Sequence, residues 1–196
     1  MRTLLRRDLK DEDNSSYRWQ DNELDRAIQR AVAELSRYIP REMTSTLATG
    51  SNSREINIAT LVDRVSVDRI EFPVARTPRQ FQRFVVYADT VFLTGDVAGD
   101  GTDCCIYWGK VHTLDDSAST IPGCLEDVLA LGAAAYAVLS QAQYRTDIAG
   151  IGGERADTDY EGWGKAMLKE FKARLRRFGR GRKLKVGALN QGDGAE

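Results

Sequence analysis

The sequence predicts an α+β protein: a small bundle of about four helices from the two chain ends, around a central β-rich insertion. Two observations carry this. Roughly the first 45 residues and the stretch from Ile121 to Phe178 repeat their apolar residues at helical spacing. Between them lie short β-branched runs punctuated by Pro73, Pro78 and Gly95. The boundaries read from composition are 1–50 for the N-terminal helices and 51–117 for the insert. Residues 118–178 follow as the C-terminal bundle helices, then 179–196 as a flexible tail, basic and then polar.

Taken in order, Thr3 to Leu9 can form a short first helix carrying Leu4, Leu5 and Leu9. Asp21 is a good helix cap, because its carboxylate can accept from free first-turn amides. Leu24, Ile28, Ala31, Leu35 and Tyr38 then share one helical face until Pro40 ends the helix. Thr44 to Ser53 is small and polar and reads as a linker. Glu55–Leu61 and Val65–Phe72 are strand-like, the second with broken alternation. Phe84–Leu93 and Cys104–Val111 read as one hairpin, with Asp100-Gly101 as its turn pair. Thr120 opens the next helix, with Pro122 early in it. Leu125, Val128, Leu129, Ala133, Tyr136, Ala137 and Leu139 leave that helix almost no polar face, so it is a core or inter-subunit helix. Gly132 and the three alanines after it allow another helix to approach closely. Gly150–Gly153 reads as a loop. A last helix, roughly Asp159 to Phe178, puts Met167, Leu168, Phe171, Leu175 and Phe178 on its core face.

The chain has 196 residues, 42% hydrophobic and 29% charged, the composition of an ordinary soluble globular domain. No run of about 18 or more apolar residues points to a membrane. The charged first turn lacks the apolar core of a signal peptide. Cys104, Cys105 and Cys124 are odd in number and lack chelating spacing, which fits free thiols in a reducing compartment.

The formal net charge of −1 hides an asymmetry. From Lys165 to Lys185 there are ten Lys/Arg and one acid, hence +9, whereas the remainder has 18 basic and 28 acidic residues, hence −10. A basic end on an acidic body points to an anionic partner, an acidic protein face or nucleic acid. The alternative is a solvated helix face with a mobile tail.

Motifs for catalysis are sparse. His112 is the one histidine, with Asp115 and Asp116 just beyond it. Catalysis or metal binding there would need further ligands, so a hydrogen bond to the following turn is the simpler role. Asp96 to Asp103 superficially follows a calcium loop but has Ala98 at the third position and Tyr107 at the twelfth. The vicinal Cys104 and Cys105 point to opposite faces of a strand, a packing role. Trp19 and Trp163 sit at helix starts, where core or staple packing is the default. No catalytic, metal or cofactor residues are assigned.

Three segments carry a resemblance: Leu5-Arg6-Arg7-Asp8-Leu9; Tyr17 through Ile28 and on to Leu35-Ser36-Arg37-Tyr38-Ile39-Pro40; and His112 through Pro122 into Leu131–Ala137. They resemble the head–tail connector (adaptor, or head completion) proteins of tailed bacteriophages. The resemblance implies a helical bundle with a β-rich insert and a non-enzymatic virion protein of the neck, without a membrane or cofactor. It further implies a ring, as a dodecamer, that docks under the portal protein. Such a ring extends the DNA channel and offers a platform to a downstream neck, tail or stopper protein. Family members usually lack so large an insert. In that setting Arg174, Arg176, Arg177, Arg180, Arg182, Lys183 and Lys185 are the candidates for contact with an acidic portal surface or with DNA. The apolar helix faces would pack core or neighbouring subunit.

Overall fold

In a computed structural model, the structure describes residues 1–115, 117–150 and 159–187, with side chains of 143–150 and 181–187 outside the description. The fold is α+β, and the chain divides into two compact units. One comprises Met1–Ile39 and His112 onward, and the other is Pro40–Val111.

The first unit is helical: α1 (Arg2–Asp8), α2 (Asp21–Tyr38), α3 (Glu126–Gly150) and α4 (Tyr160–Gly187). A 3-10 turn, Gly123–Leu125, leads into α3, with Pro122 just before it. Leu5, Leu24, Leu35, Leu129, Ala133, Phe171 and Leu175 form the fully buried centre. α2 begins through a capping box in which Gln20 is the cap and Glu23 answers it. Asp21, expected to be the cap, is instead the first helical residue and accepts from Arg6 at 2.6 Å. Trp19 is buried, and its indole N–H donates to the Ala137 carbonyl of α3 at 3.1 Å. This couples the entry of α2 to the middle of α3.

α3 is buried because α1, α2 and α4 surround it. Its stretch Gly123–Ala142 has the length and hydropathy of a membrane crossing. Here that apolar surface is spent on the core of the unit. A Cβ on Gly132 would come within 2.6 Å of the Phe171 ring, and one on Gly164 within 2.8 Å of Leu139. These two glycines let α3 and α4 meet closely, as the Gly132–Ala135 run predicts.

α4 continues through Gly179 to Gly187, beyond the predicted end at Phe178. Gly179 resembles a helix stop. Its place is a packing contact, since a Cβ there would lie 3.1 Å from the Tyr38 carbonyl at the end of α2. Phe178 is exposed, not core, and Trp163 is exposed and tilted against Tyr160. Residues 151–153 of the predicted loop, 188–196 of the predicted tail and Asp116 lie outside the described residues.

The second unit holds two three-stranded antiparallel sheets. β1 (Arg41–Ala48), β6 (Asp103–Lys110) and β3 (Arg64–Glu71) form one, with β6 central. β2 (Glu55–Asn57), β5 (Thr90–Leu93) and β4 (Phe84–Tyr87) form the other. Ile56, Ile58, Ile70, Phe72, Val91, Leu93, Cys104, Ile106 and Trp108 make its core.

Two expectations are corrected here. The predicted linker from Thr44 is largely β1, paired with β6 along its length. It is an edge strand with half-buried Met43, Ser45 and Leu47 alternating with exposed threonines, so its outward side reads as polar linker. The predicted hairpin is also different. Phe84–Leu93 is itself a hairpin, folding at Ala88-Asp89 with Ala88 at positive φ, and β6 pairs in the other sheet. Asp100 and Gly101 still form a turn, with Gly101 at φ +86° and Asp100 accepting from Thr102 at 2.9 Å. The broken alternation of β3 coincides with two register shifts against β6.

Candidate docking surface on the last helix

α4 presents two faces. Gly164, Phe171 and Leu175 are buried toward α3. Lys165, Lys169, Lys172, Arg176 and Arg180 recur at spacings of four, three, four and four, so they line a second stripe. All are exposed except the half-buried Lys172. The start of the helix is fixed by Asp159, whose carboxylate accepts from the Gly162 amide at 2.7 Å.

Two cations on this helix have acidic partners one turn back: Lys165 bonds Glu161, and Arg174 bonds Glu170 at 2.8 Å. The hydrogen bond from Lys165 to Glu161 raises the lysine's pKa above its ordinary value. Among the described residues no acidic side chain pairs with Lys169, Lys172, Arg176, Arg177 or Arg180. Of the predicted contact residues, the structure thus brings Arg176 and Arg180 onto the stripe. Arg174 and Arg177 are exposed off it. Arg182, Lys183 and Lys185 continue the helical backbone, but their side chains lie outside the described residues. Lys165, Lys169 and Lys172 belong to the basic run but not to the predicted contacts; their four-three-four spacing up to Arg176 is the signal the sequence carries for them.

The apolar residues assigned to core or inter-subunit packing divide differently. Leu125, Val128, Leu129 and Ala133 are buried within the helical unit itself. Tyr136 and Leu139 are half-buried, and the guanidinium of Arg30 lies 4.6 Å from the centre of the Tyr136 ring. Burial raises the Tyr136 pKa.

His112 is placed as a structural residue. Its backbone N–H donates to Ser36 Oγ at 3.0 Å, and its Nε2 lies 3.0 Å from the Ile39 carbonyl. Its Nδ1 lies 2.9 Å from the Thr120 carbonyl. The ring thereby ties the end of α2 to the turn before α3. Among the described residues no three His, Cys, Asp or Glu side chains converge as metal ligands. A polar cleft of about 440 Å³, lined by Arg2, Asp25, Ile28, Gln29 and Leu114, has Arg2 bonded to Asp25 across it at 2.5 Å. Thr3 and Asp115 also line it.

No protein-family model and no curated protein matches this chain. The arrangement on α4 therefore has to be read from its chemistry. A row of cations on a rigid helix, held from behind by a packed apolar face, can bind an anionic surface without rearrangement.

Proposed function

We propose that this chain is a structural, non-enzymatic subunit of a phage neck: a head–tail connector that docks on the portal as a ring. The single observation that supports this best is where the resembling segments fall. Leu5 and Leu9, Trp19 through Leu35, and Ile121 through Ala137 all contribute to one helical core, interrupted by a β-rich unit between Ile39 and His112. The single helical core built from those segments is what the resemblance to connector proteins implies, while the β-rich unit is larger than family members usually carry. In this reading the portal ring supplies local concentration and register, and neighbouring protomers close a ring, expected to be a dodecamer. The bundle extends the DNA channel, and the assembly offers a platform to the next neck or tail protein. The basic end of α4 meets an anionic surface of the assembly, portal or DNA.

The burial of Leu125, Val128, Leu129 and Ala133 within one chain changes the assembly argument. Ring contacts would have to use other surfaces, such as half-buried Tyr136 and Leu139. The deciding experiment is negative-stain microscopy with mass measurement, on the purified chain alone and mixed with its portal ring. A ring, alone or capping the portal, is the expected result. A monomer that ignores the portal overturns the reading.

A further inference from the structure

We infer that the solvent face of α4 is a sequence-independent binding surface for the phosphate backbone of double-stranded nucleic acid. The inference deepens the connector reading by naming what the basic helix meets, yet it rests on the helix alone and does not require a ring. Lys165, Lys169, Lys172, Arg176 and Arg180 form a straight stripe that covers about 22 Å of helix at 1.5 Å per residue. Successive cations stand about 4.5 to 6 Å apart along the axis. No acidic residue interrupts the stripe, and its last four members have no acidic partner among the described residues.

Three further features separate phosphate from an acidic protein as the partner. Gly162, Ala166 and Ala173, all exposed, border the stripe on one side, so the helix itself sets no bulky side chain along that edge. The stripe itself contains no aromatic or large apolar side chain, and the exposed Trp163 and Phe178 lie on another side of the helix, whereas protein interfaces draw their energy from such anchors in desolvated pockets. The backbone helix runs on to Gly187, and its sequence after Glu170 holds no acidic residue. A surface of cations without hydrogen-bonding amides or aromatic rings positions a duplex and does not read its bases.

The test is fluorescence anisotropy of the full chain with a labelled mixed-sequence duplex of about 20 base pairs, between about 50 and 200 mM salt. Four unpaired cations predict a slope of log K against log salt of about −3.6 or steeper, so affinity falls at least about 100-fold across that range. The variant K169Q/K172Q/R176Q/R180Q should keep its helical circular dichroism and lose about 3 to 4 from the magnitude of the slope. The off-stripe variant R174Q/R177Q should lose less. If the fourfold variant does not fold, Lys169→Glu alone should still weaken binding and flatten the slope by at least about 1. Absence of duplex binding at about 50 mM salt overturns the inference, as does an unchanged slope in a folded fourfold variant. Displacement of the duplex by polyglutamate as effectively as by equal charge of unlabelled duplex would assign the stripe to an acidic protein instead. A failure here leaves portal capping unaffected, and a chain that binds duplex but ignores the portal rejects only the connector reading.

Discussion

Arg6 is the residue on which the N-terminal segment turns. It is 7% exposed, yet it donates to Asp11 at 2.8 Å, to Asp21 at 2.6 Å and to the Trp19 carbonyl at 3.1 Å. The Tyr17 ring covers its guanidinium at 3.4 Å. Asp11 in turn accepts from the Arg18 amide at 2.7 Å, so one buried ion pair closes the whole turn between α1 and α2. Arg6→Ala leaves Asp11 buried without its partner and should cost about 3–5 kcal/mol in urea unfolding. Replacing exposed Arg7, whose pair with Glu12 is 3.5 Å long, should cost well under about 1 kcal/mol. The sequence shows Arg6 only as one of two adjacent arginines on a short helix. Its burial follows from partners five to fifteen residues further on and has no periodic signal. The acid limb of stability has a definite sign. The hydrogen bond from Arg6 holds Asp21 below its ordinary 3.8, and hydrogen bonds from Ser15, Thr102 and Ser117 do the same for Asp13, Asp100 and Asp115. A carboxyl lowered in the fold contributes stability above its unfolded pKa and loses it as pH falls through the folded value. The melting temperature should therefore hold near neutrality and decline below about pH 4, with a shallower decline in Asp115→Asn. Tyr107 acts at the other end. Burial and its bond to Glu71 push it up to about 12, so its contribution is present below 10.0 and is lost as pH rises through about 12.

The elements differ in how openly the sequence announces them. α2 and α3 are legible because long helices repeat their apolar face many times. The edge strand β1 and the short hairpin β4–β5 are not, because each shows few inward positions and the hairpin turns on Ala88-Asp89 without a glycine. Glycine inside α3 and α4 marks contact, not termination. At Gly132 the added Cβ meets a fully buried ring at 2.6 Å, which must outweigh the helix-propensity gain of about 1 kcal/mol for alanine. Gly132→Ala should therefore destabilise by about 1–3 kcal/mol. Phe171→Leu in that background should cost less than Phe171→Leu alone, a coupling that a double-mutant cycle in denaturant reads directly. At Gly179 the neighbour is a single carbonyl at 3.1 Å, so Gly179→Ala should cost distinctly less than Gly132→Ala. Equal losses at the two positions would remove the claim that Phe171 sets the α3–α4 spacing. The basic stripe is an element-scale feature of the same kind. Four of its five members, Lys165, Lys169, Lys172 and Arg176, lie within the helix the sequence predicts, and the full length of α4 adds Arg180.

At the scale of the molecule, the chain interrupts one fold to make another. The alternation of helical and strand periods locates this insertion, but places its borders near 51 and 117, whereas the helical unit ends at Ile39 and resumes at His112. The difference has one physical source at each end: the exposed side of β1 has the composition of a linker, and the turn from His112 to Ile121 has no period to read. The borders carry their own closure. Ser36 Oγ accepts from the His112 amide while the Ile39 carbonyl lies 3.0 Å from the His112 ring, all within the helical unit. Inside the β-rich unit, Arg41 and Lys110 are register partners at the ends of β1 and β6. Each unit thus has its own core and brings the two crossing strands together by its own contacts. Replacing 40–111 with a short Gly-Ser linker should give a helical protein that unfolds cooperatively, because the loop it must close is short and the junction bonds remain. The excised segment 40–111 should fold alone, with Trp108 bonded to Ser45 and buried in its core. His112→Ala in the full chain should lower the stability of the helical unit by about 1–3 kcal/mol and leave the Trp108 environment unchanged. Circular dichroism of the linked helical variant and tryptophan emission of the excised segment check both halves. A molten helical variant, lacking a cooperative transition, would mean that the insert is needed to hold the end of α2 against the start of α3.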